Sequence, residues 1–172
     1  EGSYALKLDI EPAGVIYGEI PEERSGASVY VIEVKAPPLR FGSYSLADLN
    51  NHIANQRGRT FSATPLPLGG VYRVLLNERQ YYALSDPIAL NEAQPIHRLA
   101  MKLPAGKPVS GRVLLPSGDP AVNVTVKLIY RTPYNHSFGS TGVTTDPAGH
   151  FRFVDVNPDI PGDYRLVVRP GP

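Results

Sequence analysis

Leu6-Lys7-Leu8-Asp9-Ile10-Glu11-Pro12-Ala13-Gly14, running into Val15-Ile16-Tyr17-Gly18-Glu19-Ile20, returns late in the chain as Leu99-Ala100-Met101-Lys102-Leu103-Pro104-Ala105-Gly106, running into Val109-Ser110-Gly111-Arg112-Val113. Each copy is an apolar/polar alternation, a Pro-Ala-Gly turn and then a strand with an apolar-x-Gly-x-apolar centre. The copies stand about 93 residues apart, a domain-scale period and not the shorter period of a solenoid.

The distal parts of the two units correspond as well. Leu66-Pro67-Leu68-Gly69-Gly70-Val71-Tyr72-Arg73-Val74 matches Val156-Asn157-Pro158-Asp159-Ile160-Pro161-Gly162-Asp163-Tyr164-Arg165-Leu166-Val167, each a Pro/Gly turn feeding Tyr-Arg-apolar. Landmarks in the same order divide the chain into a first module over residues 1–106 and a second over 107–172. In the second, Val122, Val124, Val126 and Leu128 alternate with Asn123, Thr125 and Lys127, so one face is buried and one is wet. Pro116-Ser117-Gly118-Asp119-Pro120 supplies a turn, and Asp146-Pro147-Ala148-Gly149 joins Thr141–Thr145 to Phe151–Val154 in hairpin fashion. The expected fold is all-β: two tandem Greek-key β-sandwiches of prealbumin-like or Ig-like form.

One helix is expected, inserted in the first module over residues 45–56. Ser45 is placed to cap it, Asp48 stands at the reciprocal capping position, and Leu46, Leu49 and Ile53 share a face.

The first module continues past Tyr72-Arg73-Val74 through Tyr81-Tyr82, Pro87-Ile88-Ala89-Leu90 and Leu99–Leu103. The second stops soon after Tyr164-Arg165-Leu166. Leu6–Ile10, conversely, matches a strand that closes a module. The expectation is a piece of a longer array, and the start at Glu1-Gly2-Ser3 without Met reads as a processed or excised chain.

Composition narrows the function classes. Seventeen basic and 16 acidic residues give a net charge of +1, without the basic surface that drives nucleic-acid affinity. No apolar run reaches the roughly 18–20 residues of a transmembrane helix. Absence of Cys removes disulfides, thiolate chemistry and Cys-ligated metals. The 18 Pro and 16 Gly favour short strands joined by many turns.

Val109-Ser110-Gly111-Arg112-Val113, Gly118-Asp119-Pro120-Ala121, the alternation Val122 to Leu128, Thr144-Thr145-Asp146-x-x-Gly149-x-Phe151-x-Phe153 and Pro161-Gly162-Asp163-Tyr164-Arg165-Leu166 together resemble the carboxypeptidase regulatory-like domain of the transthyretin (prealbumin)-like family. The resemblance covers residues 107–169, and residues 13–103 carry a looser version. It implies a seven-stranded prealbumin-like sandwich serving as an accessory, spacer or interaction module outside the cytoplasm: periplasmic, cell-surface or secreted. Two enzyme classes use related sandwiches. Intradiol dioxygenases hold iron through two Tyr and two His. Tyr130, Tyr134, His136 and His150 supply those types here, without the His-x-His pair. Hydroxyisourate hydrolases end in Tyr-Arg-Gly-Ser, whereas this chain ends Arg169-Pro170-Gly171-Pro172.

The remaining candidates are few. His52, His97, His136 and His150 lack the spacing of a metal site. Asp155-Val156-Asn157-Pro158-Asp159 opens like a calcium loop, but Ile160 stands where that loop needs Gly and Leu166 where it needs Glu, so a capped turn is expected. No Gly-x-Ser-x-Gly elbow or phosphate loop occurs. The best binding candidate is the aromatic loop Tyr130-Arg131-Thr132-Pro133-Tyr134-Asn135-His136-Ser137-Phe138, in which Tyr130, Tyr134, His136 and Phe138 present stacking faces to a glycan or protein. Edge packing of Tyr130 and Phe138 is the favoured alternative. The expectation is therefore a non-catalytic extracytoplasmic structural or interaction module of a larger protein, with no catalytic residue, metal or cofactor. A glycan-binding accessory module is the runner-up, and a metal-dependent enzyme comes third.

Overall fold

The computed structural model describes residues 12–35, 52–101 and 103–169. It is all-β. In chain order the strands are β1 (Ala13–Glu19), β2 (Ser28–Lys35), β3 (His52–Ile53), β4 (Asn55–Arg57), β5 (Thr60–Pro67), β6 (Val71–Glu78), β7 (Tyr81–Leu84), β8 (Ile88–Ala89), β9 (Ile96–Leu99), β10 (Lys107–Arg112), β11 (Thr125–Arg131), β12 (Ser137–Gly139), β13 (Val143–Thr144), β14 (His150–Val156) and β15 (Asp163–Arg169). A 3₁₀ turn, Glu22–Arg24, links β1 to β2.

The first half is two facing sheets. One runs β4-β5-β1-β9, and the other runs β3-β2-β6-β7 with β8 also on β6. The alternation in each strand aims one row of side chains between them. Ile16, Phe61 and Leu66 come from the first sheet and Val29, Val74 and Tyr81 from the second, all buried in one core. Leu99, Met101 and Leu103, the residues after β9 included, pack against that core from its edge.

The second half repeats the plan with fewer strands. β10 pairs β14, and the opposing sheet centres on β11, flanked along its length by β15 and on its other edge by β12 and β13. Val126, Leu128, Phe151 and Phe153 fill the space between. Among the described residues no ladder joins a strand of β1–β9 to one of β10–β15.

Structural counterparts follow from the repeat. β1 and β10 both pair antiparallel with a later strand, and both ladders carry a register shift at the same place, between Gly14 and Ile16 in one and Lys107 and Val109 in the other. The glycine of each apolar-x-Gly-x-apolar centre sits opposite a phenylalanine: Gly18 against Phe61, Gly111 against Phe151. A Cβ on Gly18 would lie 2.9 Å from the Phe61 ring, and one on Gly111 would lie 2.7 Å from that of Phe151. Each glycine is there because a ring lies across its α-carbon. The Tyr-Arg-apolar landmarks also share a role. The Tyr72 hydroxyl donates to the Pro67 carbonyl at 2.7 Å and the Tyr164 hydroxyl to that of Asn157 at 3.0 Å, each tying a strand to the turn before it.

Three expectations are corrected. Within the expected helix over 45–56, His52–Ile53 and Asn55–Gln56 are strand: Ile53 pairs Tyr30, and Asn55 pairs Ser62. Residues 45–51 lie outside those described. At 52–56 the strand wins because Asn, His and Ile are weak helix formers, while the strand geometry offers fixed partners. The Ala54 amide donates to the Val29 carbonyl at 2.9 Å, and Gln56 brackets β2 through the Val29 amide and the Ala27 carbonyl. The turn at Asp146 forms, with Oδ1 accepting from the amides of Ala148 and His150 at 2.9 and 2.8 Å. It joins strands of different sheets, however, since β13 pairs β11 and β14 pairs β10. The Val122-to-Leu128 alternation enters the sheet only at Thr125. Asn123 has φ 57°, which turns the chain and leaves Val122 half exposed.

Candidate functional site, an aromatic joint between the halves

The aromatic loop is a tight connection from β11 to β12. Buried Thr132 organises it: its Oγ1 accepts from the amides of Tyr134 and His136, both at 3.2 Å, and its own amide donates to the His136 carbonyl at 2.8 Å. Asn135 takes φ 67°, a conformation Asn tolerates, and accepts from Arg131 at 2.6 Å. The result holds Tyr130 and Phe138 on one side and leaves the turn outside.

Tyr130 and Phe138 do not face solvent. They are 0% and 8% exposed and belong to a cluster with Ile32, Leu75, Tyr82 and Ile160, drawn from both halves. Tyr82, Tyr130 and Tyr164 form a triangle of rings with centroids 5.1, 5.5 and 6.2 Å apart, and Tyr30 meets Phe138 at 5.1 Å. Such pairs contribute about 0.5–1.5 kcal/mol each beyond the area they bury. Burial pushes the Tyr82, Tyr130 and Tyr164 phenols well above their ordinary range, so they stay protonated hydrogen-bond donors. Tyr130 donates to the Pro161 carbonyl at 2.6 Å, and Tyr82 donates across the joint to the Phe138 carbonyl at 3.2 Å.

Tyr134 and His136 are partly exposed at the rim. The Arg73 guanidinium lies 5.8 Å from the Tyr134 ring centroid, a cation–π contact between halves. Burial lowers the His136 pKa, which favours the neutral imidazole. The four candidate residues are thus divided: two pack the joint and two line its edge. Of the iron-type set, His150 lies apart, paired with Asp146 at 3.6 Å. Among the described residues no group of three His, Asp or Glu is placed to hold a metal ion.

The segment that opens like a calcium loop also serves the joint. The Asn157 Nδ2 donates to the Tyr82 carbonyl at 3.0 Å, while its Oδ1 accepts from the Asp159 amide at 3.1 Å in an Asx turn. Asp155 binds the Arg24 guanidinium, which also reaches Glu78 at 3.4 Å and stacks 3.6 Å from the Tyr81 ring centroid. The Gln80 side chain accepts from the Val154 amide at 3.0 Å.

Arg24, Gln80, Tyr82 and Asn157 were not singled out from sequence as joint residues, yet one signal was present. Consecutive strand residues point to opposite faces. An apolar run such as Val74-Leu75-Leu76, or Tyr81-Tyr82-Ala83, therefore marks a sheet covered on both sides. Here Val74 and Tyr81 face the first core while Leu75 and Tyr82 face the second half.

The Arg24–Asp155 pair is partly exposed, with side chains 14% and 37% accessible, so its contribution is modest. A double-mutant cycle on Arg24→Ala and Asp155→Ala is expected to return a coupling of about 1 kcal/mol that shrinks as salt is raised. Zero coupling at low salt would mean that the pair does not hold the joint.

No family model matches the chain, and a search of curated proteins finds no match. Among the described residues no helix is long and apolar enough to cross a membrane.

Proposed function

We propose that this chain is a non-catalytic spacer of an extracytoplasmic protein: two tandem Greek-key sandwiches of the carboxypeptidase regulatory-like, prealbumin-like type, locked into one rigid body that sets the distance and angle between neighbouring domains. The observation that carries the reading is the joint. A flexible tether would need no buried aromatic cluster, whereas Tyr82, Tyr130, Tyr164 and Phe138 leave the solvent to meet one another, and Arg24, Gln80 and Asn157 add directional bonds. Interfaces between domains of one chain permit relative motion unless they are substantial and apolar; this one combines an apolar centre with a polar rim. The module assignment draws on the paired glycine–phenylalanine contacts and the matching register shifts, and the extracytoplasmic assignment on the sequence resemblance.

Residual dipolar couplings test the idea. In one alignment medium the amides of 13–99 and 107–169 should fit a single tensor. Separate tensors for the two halves of the wild-type chain would remove rigidity and the spacer role with it.

A further inference from the structure

The two halves are alike in plan, yet one face that they share has a different character in each. Aligning Tyr72 with Tyr164 sets Arg165, Val167 and Arg169 where Arg73, Leu75 and Asn77 stand. The ladders agree: Tyr30 and Ile32 pair Leu75 and Arg73, while Lys127 and Ile129 pair Val167 and Arg165. In the first half this is the outer face of β2 and β6, where Tyr30, Ile32 and Leu75 pack into the joint. In the second half Lys127 stands for Tyr30 and Arg169 for Asn77, and Arg165, Val167 and Arg169 are exposed.

Cross-strand partners share a side of the sheet, and Val126 and Leu128 take the other side, in the core. Arg169, Lys127 and Arg165 therefore form a staircase. Each is diagonal to the next across β11 and β15, about 7–8 Å away, and the two arginines stand about 13 Å apart along one strand. Ile129 and Val167 lie on the steps between. The Lys127 stem is packed, since a Cβ on Gly142 would lie 3.3 Å from its Cγ, which leaves the charged head to reach water. At the far end Arg131 faces Asp163 and donates to Asn135, and there the run stops. Among the described residues none of Arg169, Lys127 and Arg165 joins a salt bridge.

We infer that this face binds a linear polysaccharide bearing carboxylates, a uronate chain, laid along β11 and β15. Evenly stepped cations match a polymer with a carboxylate on successive sugars, and an arginine fork grips a planar carboxylate through two parallel bonds. Ile129 and Val167 take the C–H faces of the rings between. Single-stranded nucleic acid is the poorer match, because among the described residues the outer face of β11 and β15 carries no aromatic side chain for bases to stack on. An anionic membrane needs more inserted apolar area than Ile129 and Val167 supply. The charges are at the surface, so the affinity is modest and falls as salt is raised.

The test titrates oligogalacturonate into the isotope-labelled full-length chain at low salt. Amide shifts should move along 125–131 and 163–169 and stay in place along 13–99. Lys127→Gln/Arg165→Gln should weaken binding at least about tenfold. Arg57→Gln/Arg98→Gln, which removes the same charge from exposed positions of the first half, should bind as the wild type does. The methyl-esterified oligosaccharide, uncharged on the same backbone, should not bind. Circular dichroism checks that both variants keep their strand content; if the first does not fold, the shift map on the wild-type chain decides alone. Absence of oligogalacturonate binding overturns the proposal, as does equal binding of the methyl ester or an equal loss in Arg57→Gln/Arg98→Gln. Tighter binding of a thymidine oligonucleotide, or of vesicles containing phosphatidylglycerol, overturns it in favour of that partner. The single-tensor experiment on the joint uses the chain without sugar, so the spacer reading can fail or stand separately.

Discussion

Tyr82→Ala lowers the unfolding free energy by about 3–5 kcal/mol, the cost of emptying a large aromatic site in a packed cluster, and it uncouples the halves. Tyr82 is the one ring of the Tyr82–Tyr130–Tyr164 triangle that the first half contributes. Its removal opens a void that neither sheet can collapse to fill, and it strands the contacts of Tyr130 and Tyr164. Because its side chain lies on the outer face of β7, the first core with Tyr81 and Ala83 stays packed. Urea denaturation should therefore change from one transition to two, the second half unfolding first. Tyr82→Phe keeps the ring and loses only the bond to the Phe138 carbonyl, a cost of about 1 kcal/mol. If Tyr82→Ala shifts the midpoint no more than Tyr82→Phe does, the cluster is not what joins the halves.

The second large effect separates two glycines that look identical in sequence. The three atoms nearest a Cβ at Gly111 all belong to the Phe151 ring, the closest at 2.7 Å, whereas one at Gly18 meets the Phe61 ring at 2.9 Å and the Leu99 carbonyl oxygen at 2.5 Å. A ring can swing; a carbonyl held in a ladder cannot. Gly111→Ala is expected to cost about 1 kcal/mol and Gly18→Ala about 3 kcal/mol, the span usual for overpacking a core. Adding Phe151→Leu should recover much of the Gly111→Ala loss. Phe61→Leu should recover little for Gly18→Ala, because the β9 backbone remains. Equal costs in denaturant titrations, or full recovery by Phe61→Leu, would mean that β9 does not constrain β1 as described.

Much of the fold was legible because β-structure writes a local code. The alternation in β11 and the two Tyr-Arg-apolar landmarks each depend on a few adjacent residues, and they lie in strands in the structure; the Pro-Ala-Gly segments, read as turns, are not, since Ala13 and Gly14 open β1. The end of the expected helix, 52–56, departs from the local pattern for the complementary reason. Ile53 has helical spacing with residues before it, but the bonds of Ala54 and Gln56 reach residues of β2 and Ala27 more than 20 positions away, and those partners decide the backbone.

The candidate site was legible as composition and not as surroundings. Tyr130, Tyr134, His136 and Phe138 do occupy one aromatic loop, but nothing local to them says that Tyr82 and Ile32 lie opposite. Likewise Asp155-Val156-Asn157-Pro158-Asp159 opens like a set of oxygen ligands for an ion until Arg24 is found on the Asp155 carboxylate and the Asp159 amide on the Asn157 Oδ1.

Sequence alone determined the all-β character, since it follows from side-chain alternation and turn residues within a few positions. The tertiary structure decided which phenylalanine Gly18 and Gly111 each face and that the outer surface of β6 and β7 is buried. Those outcomes depend on which distant surfaces exclude water from one another, and that is a property of the assembled sheets and not of any single segment.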